Sequence, residues 1–541
     1  MARGSRHSLV IVLVIVLVAA GWFAGRVQAT GDNAYRLFSQ FMDVVAKVRD
    51  NYVEEVNVDN LIEDAIRGML RDLDPHSQYL SSADYTSLKI DTHGSYGGLG
   101  IVIGVRDGFL TVVSPMEGTP ASRMGLRSLD RVVEIDGEST DGMTLDEAVS
   151  KMRGPEGTNV VLTVLREGIE KPLEFDLTRE VIEVKSIPYS FATADSIGFV
   201  RVSRFSETTP VSLENVLVEL ERQGIRGLIV DLRRNPGGLL GEAVSVAESF
   251  VPKDSLVVYT RGRVRMQNAN YYSKSVRVHD DYPIVVLIDG GSASASEIVA
   301  GAIQDLDLGV LVGERTFGKG SVQSVFPLRN GAALKLTTAT YYTPSGRCIH
   351  AESQRRRVRS SADIKIGPPE EEEEERPEFR TSGGRIVYGG GGVTPDVEIK
   401  YPTLSAIAER LERGLLFYKF AVDFIEGDGQ LTADGFEVFP AVVDDFADFL
   451  AEQDFAYGEA EFRDDLEYIE RAIKREVVGE LAGDEAQFKV YIQGDPQVQA
   501  ALDMLRQSRS KQELFQVAEA MSASTESSSA PPSRAEAPAK Q

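Results

Sequence analysis

The chain has 541 residues with 83 acidic against 58 basic side chains, a formal charge of −25. Such a length supports about three or four domains with sizeable cores, and without a basic stripe the chain is not expected to bind nucleic acid or adsorb to anionic lipid. A single cysteine, Cys348, excludes an intramolecular disulfide and a multi-cysteine metal site, and His7, His76, His93, His279 and His350 show no ligand spacing, so no metal or cofactor is expected.

At the N-terminus Arg3, Arg6 and His7 precede an apolar run from Leu9 to Ala24, and Val27-Gln-Ala29 follows. Positive residues, an apolar stretch and a small residue at a cleavage point describe an export signal. The run is long for a signal core and short for a comfortable span. Residues 1–29 are therefore expected to be either a cleaved signal peptide or a retained anchor, held in the inner membrane by residues 9–24. Either way the rest of the chain is expected in the periplasm or cell envelope. Residues 33–84 read as helical, with Phe38, Phe41, Val44, Val45 and Val48 at helical spacing. A second run, Leu61, Ile62, Ala65, Ile66, Met69 and Leu70, stops at Asp74-Pro-His-Ser77. These helices could cap the main body, pack on the neighbouring domain, or pair with another subunit in a homodimer; an activating adaptor is a further candidate partner of the chain.

Residues 85–182 change to short β runs with glycine turns, among them Gly100-Ile-Val-Ile-Gly104, Phe109-Leu-Thr-Val-Val113 and Val160-Val-Leu-Thr-Val164. Ser95-Tyr-Gly-Gly-Leu-Gly-Ile101 opens the region. Its glycines let backbone N–H groups converge into an anion nest suited to a terminal carboxylate, and the next strand could add an extended peptide along its edge. Read alone, the glycines suit an ordinary turn in a small β domain equally well. Together with Gly125-Leu-Arg-Ser-Leu-Asp-Arg-Val-Val-Glu-Ile-Asp-Gly137, however, the segment resembles the carboxylate loop of a PDZ domain, a β-rich α+β fold. The resemblance implies that Gly98, Leu99, Gly100 and Ile101 contact a protein's free C-terminus.

From Ile197 the pattern becomes β-α-β. Strand Gly198-Phe-Val-Arg-Val202 leads to a helix with Leu213, Val216, Leu217 and Leu220 on one face, then to strand Gly227-Leu-Ile-Val-Asp-Leu232 and the loop Arg234-Asn-Pro-Gly-Gly238. Ile284-Val-Val-Leu-Ile288 and Val310-Leu-Val312 lead two further units. An α/β core with parallel strands is expected over 183–400, its site in loops beyond the strand C-termini. Residues 355–392 within it are poor in apolar side chains and include Glu370–Glu375, so a flexible insertion is expected. Residues 401–520 read as an acidic helical region suited to a lid, a dimer surface or a partner site, and 521–541 as a disordered Ser/Pro/Ala tail.

The chemistry concentrates in two segments. Gly291-Ser-Ala-Ser-Ala-Ser-Glu-Ile298 places hydroxyls at a strand-to-helix junction, where a serine can meet solvent beside free backbone N–H groups. Gly313-Glu-Arg-Thr-Phe-Gly-Lys-Gly-Ser-Val-Gln323 delivers a lysine, and a lysine shielded by apolar walls can lose its proton and act as a base. The second segment spells most of a phosphate-binding loop, but Gly320 stands where Ser or Thr would hold magnesium, and Ser321-Val-Gln-Ser-Val-Phe326 alternates like a strand where a helix would be needed. Alone, it would read as a tight turn with a solvated lysine. The three serines 292, 294 and 296 are chemically alike.

The combination resembles the carboxyl-terminal processing (tail-specific) peptidases, Ser/Lys proteases with an inserted PDZ domain. Leu73-Asp-Pro-His-Ser77, Ser292-Ala-Ser-Ala-Ser-Glu297, Phe317-Gly-Lys-Gly-Ser-Val-Gln323 and Tyr342-Thr-Pro-Ser-Gly346 carry the resemblance. It implies a multidomain α/β chain with a crotonase/ClpP-like protease core. It also implies Ser294 as nucleophile, Lys319 as general base and Gln323 as the residue orienting the lysine. Backbone N–H groups of Ala295 and of Gly237 or Gly238 would form the oxyanion hole. The substrates implied are proteins with exposed C-terminal tails. The competing reading is a PDZ adaptor or holdase that binds such tails without cutting them.

Overall fold

The computed structural model describes residues 35–350 and 376–529, apart from residues 107, 167, 277 and 428–430. The expected signal or anchor at 1–29, the run Glu370–Glu375 and residues 530–541 of the expected tail lie outside the described residues. Among the described residues no helix is long and apolar enough to cross a membrane. Of the described residues, those up to 81 together with 325–336 form one compact unit, and those of 82–324 and from 337 onward a second.

In the first unit, helices cover residues 35–51 and Val58–Arg71. The Asn57 side-chain Oδ1 caps the second by accepting from Asp59 N–H at 2.8 Å. The chain then turns at Asp74, whose carboxylate accepts from the N–H groups of His76 and Ser77. Strand Gln78–Leu80 pairs antiparallel with residues 333–335, and Leu70, Tyr79 and Ala332 bury a small core.

The second unit is built on a six-stranded sheet in the order β1 (Tyr189–Ala192), β2 (Ile197–Arg201), β3 (Gly227–Asp231), β4 (Ile284–Ile288), β5 (Val310–Gly313) and β6 (Val397–Glu398). Only β1–β2 is antiparallel. Strands β3, β4 and β5 are buried at every position, which fits their continuous apolar runs, because a parallel sheet covered on both faces needs apolar residues on both. On one face lie α1 (Thr209–Arg222), α2 (Leu240–Ala247) and α3 (Ala295–Asp305), packed through Leu213, Leu217, Ala243, Ile298 and Val299. The other face is covered by the end of the chain. Helices α4 (Asp484–Gln493), α5 (Pro496–Gln507) and α6 (Lys511–Ser529) set Phe488, Val498, Met504, Leu505 and Leu514 against Phe199, Ile229, Val285 and Val312. The acidic helical region is thus two structures. Helices between Ala406 and Ala482 enclose their own core around Phe417, Phe420 and Phe446, while the last three complete the sheet. Helix α6 also carries the chain to Ser529, into the stretch expected as tail from residue 521.

The expected flexible insertion is partly ordered. Strands Glu378–Arg380 and Ile386–Tyr388 form a hairpin. Its anchors are polar, which is why composition does not reveal it: Arg385 pairs with Asp307 and Asp396, and buried Arg347 donates to the Tyr388 carbonyl.

The expected PDZ region is a compact β domain. Its sheet begins at the edge strand Ile101–Arg106, and Leu99, Val112, Ile135, Leu162 and Leu177 fill its core. Helix Leu145–Met152 starts with a complete capping box between Thr144 and Glu147.

Candidate active site

Strand β4 runs out at Ile288, and the chain turns sharply before α3. At the turn Ser294 adopts φ 55° and ψ −109°, a conformation that is costly for a residue with a side chain and is held only by its surroundings. The usual helix cap has an extended backbone and a hydroxyl turned onto its own helix. Ser294 has neither: its side chain makes no capping bond. Its neighbours are committed elsewhere. Ser292 is fully buried and donates to the Leu232 carbonyl at 2.8 Å, and Ser296, also fully buried, donates to the Asn235 carbonyl at 2.9 Å. Ser294 is only half-buried. Of three chemically equal hydroxyls, the backbone leaves one partly exposed.

Lys319 follows β5, half-buried, on the loop that crosses the start of α3. Glu297 ties the two segments together. Its Oε2 accepts from Ser294 N–H at 2.8 Å and from Lys319 N–H at 3.0 Å, while its Oε1 accepts from Gly318 N–H and the Thr316 hydroxyl. Burial pushes the Glu297 carboxyl above its ordinary range, against the pull of those four donors. Tyr341 makes a second tie, its single hydroxyl hydrogen shared between the carbonyls of Ser294 at 2.9 Å and Lys319 at 2.7 Å. Burial holds its phenol well above the ordinary value, so it stays a donor. Neither residue was singled out by its chemistry in the sequence. Glu297 had a readable signal, the Ser-x-x-Glu spacing of a capping box at a strand-to-helix junction, whereas Tyr341 had none. Gln323 lies on the strand after Lys319, and its amide nitrogen donates to Ser321 Oγ at 3.0 Å and to Thr337 Oγ1 at 3.4 Å.

The loop after β3 passes beside the serine. A Cβ on Gly237 would stand 2.8 Å from Ser294 Cβ and 2.9 Å from Ala295 N, so only glycine permits this approach. The Gly237 N–H donates to Asn235 Oδ1 at 2.9 Å. Gly238, at φ 153°, is pressed against the Phe205 carbonyl. Ala295 opens α3, where helix geometry leaves its N–H without an intrahelical acceptor. Asp305, at the far end of α3, accepts from Ser345 N–H and pairs with buried Arg347, which suits a structural role.

In the PDZ region, the carbonyls of the glycine loop are occupied. Leu99 O accepts from Ala121 N–H and Gly100 O from Met116 N–H. Gly100 has φ 73°, and a Cβ there would meet the Thr119 side chain at 2.3 Å. Ile101 begins the edge strand, with helix Leu145–Met152 beside it.

A model of peptidase family S41 matches residues 196–359, a PDZ-domain model matches 111–166, and a model of the activating protease CtpB N-terminal domain matches 25–83. A carboxy-terminal-processing protease of Bartonella bacilliformis is 43% identical over 321 residues, 59% of this chain and 73% of the relative. One from a Synechocystis species is 40% identical over 292 residues, 53% of this chain and 68% of the relative. The carboxy-terminal processing protease CtpA of Bacillus subtilis is 33% identical over 336 residues, 61% of this chain and 70% of the relative. With its serine turn, its PDZ domain and these matches, the chain belongs to peptidase family S41, among the carboxy-terminal processing serine proteases.

Proposed function

We propose that this serine protease cuts with a Ser294/Lys319 dyad and selects proteins by their free C-termini through the PDZ loop. The observation that carries the reading is the Glu297 carboxylate, which holds the backbones of Ser294 and Lys319 on one pair of oxygens. In this mechanism the side-chain amine of Lys319, as general base, takes the proton of Ser294 as the hydroxyl attacks the scissile carbonyl. The N–H groups of Ala295 and Gly238 stabilise the oxyanion, each worth about 3 kcal/mol. Gly237 supports them as the close-approach glycine, since its own N–H is taken by Asn235. Lys319 returns its proton to the departing amine, and water then releases the acyl group. Gln323 orients the lysine through its amide oxygen, its nitrogen being engaged with Ser321 and Thr337.

At the PDZ loop, the N–H groups around Gly98, Leu99 and Gly100 would receive a terminal carboxylate, and the edge strand from Ile101 would pair with the tail behind it. The leader pattern at 1–29 supports placing the enzyme in the periplasm or cell envelope. To test the reading, the purified chain is incubated with an unfolded protein and with the same protein amidated at its C-terminus, with Ser294→Ala alongside. The expected outcome is cleavage of the free-tailed substrate that is weakened by amidation and lost in the variant. Carboxylate-dependent binding with no cleavage by the wild type would instead make the chain an adaptor.

A further inference from the structure

Arg233 lies just ahead of the glycine loop and is buried. One edge of its guanidinium closes on Asp231, Nε to Oδ1 and Nη2 to Oδ2, both at 2.9 Å. The remaining nitrogen, Nη1, reaches Asp495 Oδ2 at 2.7 Å and Gln497 Oε1 at 2.9 Å. Both partners come from the start of α5, outside the residues 196–359 that the protease family model matches. Asp495 also caps α5, its Oδ1 accepting from Gln497 and Val498 N–H, and Gln497 Nε2 donates to the Ile399 carbonyl at 2.7 Å.

From Arg233 the chain is fastened at each step to the nucleophile turn. Arg233 N–H donates to Asp231 Oδ1, and Arg234 N–H donates to Asp289 Oδ1. The Asn235 side chain donates to Val202 O and accepts from Gly237 N–H, while its carbonyl receives Ala293 N–H and the Ser296 hydroxyl. Asp231 is shared with Arg201, whose Nη1 donates to its Oδ2 at 3.1 Å. The second carboxylate balances that second cation and, by holding the remaining nitrogen of Arg233, fixes the plane of the guanidinium, and with it the backbone that leads to Gly237 and Gly238.

We infer that Asp495 and Gln497 are positioning residues for the oxyanion loop, acting through Arg233. The inference rests on the Ser294, Ala295 and Gly238 roles proposed above. It makes the end of the chain part of the machinery that aligns catalysis, because withdrawing one partner of a buried charge lets the other reorient toward whatever anion remains.

The test compares the full chain with Asp495→Asn, with Asp495→Asn/Gln497→Glu and with Ser294→Ala. Asparagine still caps α5 through Oδ1 but turns an NH2 donor against Arg233 Nη1. The double variant returns a carboxylate to that edge, at a helix start where negative charge is favourable, and gives up only the Gln497 bond to the Ile399 carbonyl. Cleavage of an unfolded substrate by Asp495→Asn is expected to show kcat lowered roughly ten- to a hundredfold with KM changed less than about twofold. The double variant is expected to recover part of that kcat at unchanged KM, a split that a loss of folded protein would not give. Unchanged kcat in Asp495→Asn, or a loss the double variant does not repair, overturns the inference. Should Asp495→Asn fail to fold, Gln497→Met decides: kcat is expected to fall several-fold at constant KM, and an unchanged kcat overturns the inference. If Ser294→Ala cleaves like wild type, the dyad reading fails and takes this inference with it. If Ser294→Ala is inactive while Asp495→Asn stays fully active, only this inference fails.

Discussion

Ser292, Ser294 and Ser296 carry the same hydroxyl within one turn of chain, and their surroundings separate them. Replacing Ser294 by alanine removes a half-buried hydroxyl with no capping duty, so the fold should persist while cleavage falls to background. Replacing Ser292 or Ser296 removes one of two donors from a buried carbonyl, Asn235 N–H or Ala293 N–H remaining as the other, and should cost about 1 kcal/mol of stability. Thermal unfolding together with substrate cleavage separates the two classes. Glu297 makes a sharper case. Burial raises its folded pKa above that of the unfolded chain, so its contribution to stability is fully present below the unfolded value, near 4, and declines as pH rises through the folded one. Glu297→Gln has no such titration. The Tm advantage of wild type over the variant should therefore shrink as the pH is raised above the unfolded value. Activity follows a different rule. At neutral pH the variant should lose about 100-fold, because an amide NH2 cannot accept from the N–H pairs that the carboxylate collects.

At the scale of elements, the site is a meeting of two turns, one after β4 and one after β5, bridged by Glu297 on α3 and Tyr341 on the strand Ala333–Tyr342. Tyr341→Phe removes only the second bridge. It should lower kcat severalfold and stability by about 1 kcal/mol, read by steady-state kinetics and thermal unfolding. The serine and lysine turns were legible because each follows a continuous apolar strand and keeps chemically distinctive residues at its tip. Gly237 was legible as a candidate donor. Its actual contribution, close approach with its N–H turned to Asn235, depends on a contact that spacing does not encode. The hairpin at Glu378–Tyr388 was hidden for a related reason. Low apolar content implies flexibility only where polar groups remain solvated, and Arg347 and Arg385 spend theirs on Asp305, Asp307 and Asp396.

At the scale of the second unit, the α/β order of the core could be read from the β-α-β alternation, but its second layer could not. That layer arrives from the far end of the chain, after a separate helical region with its own core. An acidic helix with a partial apolar stripe looks the same in sequence whether it covers a sheet or a partner. Position decides it. Met504, Leu505 and Leu514 are fully buried against β2 to β5, so truncation after Ala482 would expose one whole face of a sheet whose strands are apolar on both. The truncated chain should therefore aggregate or unfold, although every residue of the Ser294 and Lys319 segments is retained. A single substitution grades the same effect. Leu505→Ala should cost about 2–5 kcal/mol, since Leu505 sits fully buried over Gly227, where the neighbouring strand offers no side chain to fill the gap. Denaturant unfolding of the two variants checks the claim. A truncated chain that stays monomeric, folded and active would mean that the last three helices are an accessory and not the second layer of the protease core.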